Sequence, residues 1–166
     1  MDGEVTRRRV ASDSLEMQLE ANLADFESAS RRLHEFLERI GTSQRGLHRS
    51  ELVFEEVCMN VIRYAYVDDD QHTIEIGLGI IDEQIILEIR DSGRPFDPRS
   101  APPRDLDVED PEVGGLGLTL VLDLVDALTY RREDDKNRVQ VCIHIRSEEG
   151  NVLWSDVNDR ANAGNP

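Results

Sequence analysis

The fold of this chain is decided by two motifs, RDSGRPFDP at residues 90–98 and GGLGL at residues 114–118. The first motif ends an apolar run at residues 85–89, and the second leads into another apolar run. The polar, acidic segment between them carries prolines and has no apolar period. A strand, a glycine turn, a long loop, a second glycine turn and a helix therefore follow one another, and this arrangement suits a nucleotide.

The composition excludes several classes of function. The 166 residues fit one domain, and their formal net charge of −16 opposes binding to nucleic acid or to anionic membranes. Lys136 is the only lysine, so a Walker A loop and the lysine of a eukaryotic-type protein kinase are both excluded. Cys58 and Cys142 are lone cysteines in apolar runs, which is typical of a reducing compartment. We expect a cytoplasmic protein without direct nucleic-acid or membrane contacts.

Apolar periodicity predicts the remaining elements. An edge strand is predicted over residues 15–19. A first helix follows, capped by Asn22 or Asp25 and ended by Gly41. A second helix is opened by Ser43 or Ser50 and reaches to about Tyr66. Further predicted elements are strands over 73–78 and 85–89 with a hairpin at residues 82–83, a helix over 116–126, and strands over 128–132 and 139–145 with a turn at 134–137.

This order of elements favours an α+β fold. We predict a two-layer sandwich in which a mixed, mostly antiparallel sheet carries helices on one face. One domain over residues 14–147 would lie between a disordered tail at 1–13 and a C-terminal tail at 148–166.

Glu56 and Asn60 lie four residues apart on the second predicted helix and therefore share one face. They fall beside the arc of the apolar positions Val53, Val57 and Val61. An amide oxygen is a good ligand for Mg²⁺, which prefers oxygen ligands together with waters and phosphates. A carboxylate one turn away can polarise a hydroxyl that attacks a phosphate. On the helix alone, an ordinary solvated surface pair is the alternative.

Asp91 follows a predicted strand and precedes Ser92 and Gly93. A carboxylate there can accept a hydrogen bond from an amino group such as that of adenine, and Gly93 would let a flat base approach the backbone. An ordinary turn is the alternative. The GGLGL motif precedes an apolar helix, whose terminal N–H groups can bind phosphate, and a flexible hinge is the alternative there.

Together, these motifs resemble those of the GHKL ATPase superfamily. EVCMN at residues 56–60 looks like its N box, DSG at 91–93 like its first glycine box, and GGLGL like its second. Within the superfamily, RDSGRPFDP and the VQV strand at 139–141 are similar to the anti-sigma factor serine/threonine kinases. The resemblance covers about residues 15–145 and implies a Bergerat-type ATP-binding fold.

The resemblance also implies ligands and roles. Asn60 would hold Mg²⁺ against the triphosphate of ATP, and Glu56 would be the general base toward a serine or threonine hydroxyl. Asp91 would recognise the adenine amino group, with Gly93 packed near the ring. Arg104, in an ATP lid at residues 97–113, is the best candidate to reach the γ-phosphate. The second glycine box implies further ATP-binding positions at Gly114, Gly115, Leu116, Gly117 and Leu118.

The implied partners are proteins. The family resemblance predicts a homodimer that sequesters a sigma factor and phosphorylates an anti-anti-sigma protein of the STAS class. One departure concerns the last strand, where the family offers a threonine near adenine. Here that position looks like Gln140, which can still hydrogen-bond the base directly or through water. The lid is very acidic over residues 105–112, and carboxylates near a triphosphate repel it. Either these side chains face outward or nucleotide affinity is low without Mg²⁺, and residues 107–112 could instead form a solvated loop that recognises a partner.

Two other functions remain as alternatives. The first is a non-catalytic module of the same fold, which holds a regulator with nucleotide as a structural ligand or without it. The second is the catalytic domain of a histidine kinase, which needs a phospho-acceptor histidine on a helical hairpin ahead of the fold. The four histidines of this sequence are scattered instead. Glu56 favours the serine/threonine kinase, because a pure binding module has no need of an acid there.

Overall fold

The computed structural model describes residues 13–68, 70–100 and 116–145, and for residues 116–119 it describes the backbone only. The C-terminal tail, all but the last residue of the predicted N-terminal tail, and most of the predicted lid, with Arg104, lie outside these residues, as do Gly114 and Gly115. The elements are the strands β1 (Ser14–Glu20), β2 (Thr73–Ile81), β3 (Gln84–Asp91), β4 (Ala127–Glu133) and β5 (Lys136–His144), and the helices α1 (Leu23–Arg39), α2 (Gln44–Asn60) and α3 (Leu116–Leu124).

The five strands form one sheet in the order β1-β2-β3-β5-β4. Each of the four pairings between these strands is antiparallel. The predicted edge position of the first strand is confirmed, as is the α+β class of the fold. The sequence prediction had allowed for a mixed sheet, but no parallel pair occurs among the strands that the structure describes.

Alternation along the strands separates an inner face from an outer face. The inner side chains pack with α1 and α2 into one core, in which Leu33, Leu37 and Phe54 are fully buried. Each such burial contributes roughly 1.5–3 kcal/mol. Buried strand residues recur at every second position: Met17, Leu19, Ile74, Ile76, Leu78, Ile85, Leu87, Ile89, Val139, Val141 and Ile143.

The outer face of the sheet is polar. Glu88 forms ion pairs with Arg90 and, at 2.6 Å, with Arg138. Lys136 of β5 reaches across β3 to Glu75 of β2 at 2.5 Å. No helix within the described ranges is long and apolar enough to cross a bilayer.

The predicted ends of α1 and α2 have recognisable caps. Asn22 caps α1, since its side chain accepts from the Asp25 backbone N–H at 2.9 Å, and Gly41 follows the helix with a φ of +74°, as left-handed C-terminal residues do. Ser43 is the cap of α2. Ser50 is not: it is buried within the helix, where its hydroxyl donates to the Gly46 carbonyl.

Several predicted boundaries need correction, and one of them is the end of β2, which extends to Ile81 instead of residue 78. The α-helical part of α2 ends at Asn60, and the chain continues to Ala65 as a π-helical turn, Val61–Ala65. Helix α3 ends at Leu124, before the predicted residue 126. The β4–β5 turn consists of Asp134 and Asp135 alone, both with positive φ, as in tight two-residue hairpins. Strand β5 therefore begins at Lys136, three residues earlier than predicted.

Candidate functional site

Asp91, the last residue of β3, is a buried carboxylate with 5% of its surface exposed. Its Oδ1 accepts hydrogen bonds from the Gly93 backbone N–H at 2.8 Å and from Asn137 Nδ2 at 2.9 Å. Burial raises the pKa of Asp91, against the opposing effects of these two bonds and of the Arg132 charge. Both bonds end on Oδ1, so with respect to the described residues Oδ2 keeps the capacity to accept a further hydrogen bond.

Asn137 is a residue that the sequence prediction did not assign to the site. It lies opposite Asp91 in the β3–β5 register and is 3% exposed. Its Nδ2 donates to Asp91 Oδ1 and to the Arg94 carbonyl, each at 2.9 Å. Its Oδ1 accepts from Tyr130 Oη and from Arg132 Nη1, also at 2.9 Å. The side-chain amide is thus fully hydrogen-bonded and serves to hold its neighbours.

Gly93 allows the loop after β3 to lie directly on the π-helical turn. A Cβ at this position would stand 2.4 Å from Ala65 Cβ and 2.8 Å from the Ala65 carbonyl oxygen, closer than atoms can pack. The Arg94 backbone N–H donates to the same carbonyl at 2.9 Å, and the Ser92 N–H donates to Tyr66 Oη at 3.3 Å. These contacts fix the end of β3 against the π-helical turn that follows α2.

The C-terminal half of α2 carries Glu56 and Asn60 into this region. Asn60 Nδ2 donates to the Glu56 carbonyl at 2.6 Å. The amide nitrogen is thus occupied, and the amide oxygen, Asn60 Oδ1, is the atom of this side chain that can bind a cation. Helix α2 packs against β3, and the Asp91 charge adds to burial in raising the pKa of the Cys58 thiol. Glu56 and Asn60 therefore lie on the helix that leads into the π-helical turn, and Ala65 of that turn contacts Gly93, two residues after Asp91.

Glu56 is a partly buried carboxyl group. Burial raises its pKa, the charge of neighbouring Glu55 raises it further, and Arg63 acts in the opposite direction. A carboxylate with a raised pKa holds a proton more readily than an ordinary surface glutamate, which suits general-base chemistry.

Gln140 does not lie beside Asp91, which corrects the predicted position of this residue. Its pairing partners are Glu88 on β3 and Thr129 on β4. Because alternate strand residues point to opposite faces, Gln140 lies on the polar outer face while Asp91 and Asn137 lie on the inner face. The predicted turn was two residues too long, and this error hid Asn137 as the strand residue beside Asp91.

The GGLGL motif at residues 114–118 is described only from Leu116 onward. Helix α3 begins at Leu116, so Leu116, Gly117 and Leu118 form its first turn, as predicted. Backbone N–H groups of a first helical turn can bind an anion. At the other end of α3, Arg49 of α2 donates from Nε to the Leu124 carbonyl at 2.7 Å, which ties α3 to α2.

Residues 19–143 match the family described as "Histidine kinase-like ATPase domain". The chain belongs to this family. The match spans α1 to nearly the end of β5, so the Asp91 carboxylate and the α2 residues lie within a histidine kinase-like ATPase domain.

Two kinases of comparable size are similar to this chain. The serine/threonine-protein kinase BtrW of Bordetella bronchiseptica is 29% identical over 99 residues, which cover 58% of this chain and 70% of BtrW. The serine-protein kinase RsbW of Oceanobacillus iheyensis is 28% identical over 120 residues, which cover 69% of this chain and 76% of RsbW.

The fold has a counterpart among solved structures. The crystal structure of the RsbU and RsbW domains of Rv1364c from Mycobacterium tuberculosis superposes with a TM-score of 0.57 at 15% identity. The superposition covers 80% of this chain and 32% of that longer one. At this identity the likeness supports the ATPase-domain fold and carries nothing about activity.

Proposed function

We propose that the protein is an ATP-dependent serine/threonine kinase that acts as an anti-sigma factor. The observation that carries the proposal is the buried Asp91 carboxylate, which the described residues hold through Oδ1, at the end of a strand that packs against the helix of Glu56 and Asn60. Membership of an ATPase-domain family and similarity to proteins named serine and serine/threonine kinases support it.

The chemistry of these residues fits ATP. Asp91 Oδ2 would accept from the adenine amino group, and Gly93, which can carry no side chain there, would pack near the ring. The N-terminal turn of α3 and the glycines before it would line the phosphates. Asn60 Oδ1 would hold Mg²⁺, which supplies charge neutralisation on the phosphates when bound.

Glu56 is the proposed general base. Its carboxylate would take the proton of a serine or threonine hydroxyl as that oxygen bonds to the γ-phosphorus of ATP, while the bond to the β,γ-bridging oxygen breaks and ADP leaves. Arg104, outside the described residues, is the proposed cation at the γ-phosphate. Such a reaction needs positioning and charge more than covalent chemistry, so a few residues suffice.

The proposed partners follow from the anti-sigma kinase reading. The phosphate acceptor would be an anti-anti-sigma protein of the STAS class, the sequestered protein would be a sigma factor, and the kinase would act as a cytoplasmic homodimer. Direct contact with nucleic acid is not expected for a chain whose formal net charge is −16.

Phosphate transfer is the direct test. The protein is mixed with γ-³²P-ATP, Mg²⁺ and each STAS-domain protein of its own genome in turn, and labelling is followed with time. We expect one STAS protein to be labelled on serine or threonine, and Glu56→Gln to slow labelling roughly 100- to 10,000-fold. Glu55→Gln, on the exposed neighbour, is the matched control and should label within a few-fold of wild type.

The test also separates the kinase from a binding module. If the protein retains a sigma factor but labels none of the STAS proteins, the kinase reading is wrong. If Glu56→Gln labels as fast as wild type, the general base is another group.

A further inference from the structure

Arg132 of β4 holds both of the groups that donate to the Asp91 carboxylate. Its Nη1 donates to the Gly93 carbonyl at 3.0 Å and to Asn137 Oδ1 at 2.9 Å. Gly93 and Asn137 are also the two residues whose N–H groups bind Asp91 Oδ1. Arg132 Nη1 therefore binds one oxygen of Gly93 and one of Asn137. The N–H groups of the same two residues bind the Asp91 carboxylate.

The chemistry of Arg132 makes its contribution different from that of Tyr130. A tyrosine hydroxyl can donate or accept, so Tyr130 would tolerate either orientation of the Asn137 amide. A guanidinium can only donate, so Arg132 favours the orientation in which Oδ1 faces β4 and Nδ2 faces Asp91. If the amide were reversed, Asn137 Oδ1 would face Asp91 Oδ1, and neither oxygen could donate a hydrogen bond to the other.

The charge of Arg132 acts in the same direction. It is one of the groups that oppose the effect of burial on the pKa of Asp91, and it therefore favours the ionised carboxylate. The Arg132 side chain is 28% exposed. Its neighbour on the strand, Arg131, points to the outer face, where it is 69% exposed and pairs with Glu133 at 3.7 Å.

We propose that Arg132 is a positioning residue for adenine recognition, which aligns the Asp91 carboxylate through Asn137 and the Gly93 peptide without touching the nucleotide. This inference rests on the proposed binding of ATP at Asp91. It assigns to β4, an edge strand, a part in selecting the base. With Arg132 in place, the site would distinguish purine nucleotides that carry a 6-amino group from those that lack it.

The experiment compares two nucleotides that differ only in that group. Calorimetry with Mg²⁺ gives the Kd of ATP and of purine riboside triphosphate, which lacks the 6-amino group, for wild type, Arg132→Ala and Arg131→Ala. Wild type should prefer ATP roughly 10- to 100-fold, as expected for a hydrogen bond to a charged group. Arg132→Ala should lose most of this preference, chiefly through weaker ATP binding, and Arg131→Ala should keep it.

If Arg132 has a purely structural role, Arg132→Ala should weaken the binding of both nucleotides alike and leave the ratio of their Kd values unchanged. That result would overturn the inference. Thermal unfolding shows whether Arg132→Ala is folded. If Arg132→Ala is unfolded, the same two Kd values are measured for Arg132→Gln. This variant keeps an aliphatic stem but replaces the guanidinium, which can only donate, by an amide. A wild-type ratio in that variant overturns the inference, and a reduced ratio supports it.

The two proposals fail in different ways. If wild type binds neither nucleotide, ATP recognition itself is wrong. If wild type binds and prefers ATP while the Arg132 variants keep that preference, only the role of Arg132 is wrong.

Discussion

Asn137 donates a hydrogen bond from Nδ2 to Asp91 Oδ1 at 2.9 Å across the β3–β5 pair. Both residues are almost completely buried. A buried carboxylate is costly unless its lone pairs are satisfied, and this amide satisfies part of that need. The bond leaves Asp91 Oδ2 as the recognition atom of the proposed site, so the stability of the site and its selectivity depend on the same pair.

Removing the amide should destabilise the fold. Asn137→Ala leaves Asp91 Oδ1 with one donor and the Arg94 carbonyl without its side-chain partner, which we expect to cost roughly 2–3 kcal/mol of unfolding free energy. Urea denaturation measures the change. Gln140→Ala, on the outer face of the same strand, is the control and should cost less than about 1 kcal/mol. Equal losses in the two variants would contradict the role of Asn137.

The charge of Asp91 should reduce stability at neutral pH. Because its pKa is raised in the folded protein, the folded state binds this proton more tightly than the unfolded chain. Its contribution to stability therefore falls as pH rises through the interval between the unfolded pKa, about 3.9, and the higher folded one. We expect Asp91→Asn to gain stability relative to wild type across that interval and to keep the gain at pH 7. Melting temperatures of both proteins between pH 4 and pH 8 test this, and a relative gain that shrinks as pH rises would refute it.

Gly93 should not accept a side chain. The Cβ of Gly93→Ala would meet Ala65 Cβ at 2.4 Å, and overpacking of this kind costs about 1–3 kcal/mol. Adding Ala65→Gly to this variant removes the clash with the Ala65 side chain and should restore part of the lost stability. The restoration should be incomplete, because the carbonyl oxygen of residue 65 stays 2.8 Å from the new Cβ. Unfolding free energies of the single and double variants form the cycle. Additive losses would exclude the contact with the Ala65 side chain as the cause.

The pKa of Glu56 should respond in opposite directions to its two charged neighbours. Glu55 raises this pKa and Arg63 lowers it, so Glu55→Gln should lower it and Arg63→Gln should raise it. The carboxyl ¹³C signal of Glu56, followed by NMR against pH, measures each shift without any need for a phosphate acceptor. Shifts of the same sign in the two variants would be inconsistent with this electrostatic arrangement.

Much of the fold follows from periodicity and turn chemistry in the sequence. Two-residue alternation locates the strands, Asn22 and Ser43 mark the helix starts, and the resemblance of DSG to a glycine box singles out Asp91. These signals are local, and each depends on a few adjacent residues.

The part of the site that the sequence did not reveal depends on strand register. The turn at Asp134 and Asp135 is two residues long, and miscounting it moves Asn137 out of the strand. Counting back in steps of two from Val139 would have placed Asn137 on the inner face and Gln140 on the outer one. Arg132 has no such signal, because its partners come from β3 and β5 and are set by how three strands align.

Calorimetry with Mg-ATP on wild type, Asp91→Asn and Gln140→Thr tests the central claim most directly. We predict that wild type binds ATP, that Asp91→Asn binds at least roughly tenfold more weakly because it loses a charge-assisted hydrogen bond to the base, and that Gln140→Thr binds like wild type. Wild type without detectable binding, or Asp91→Asn with wild-type affinity, would contradict a nucleotide site built around Asp91.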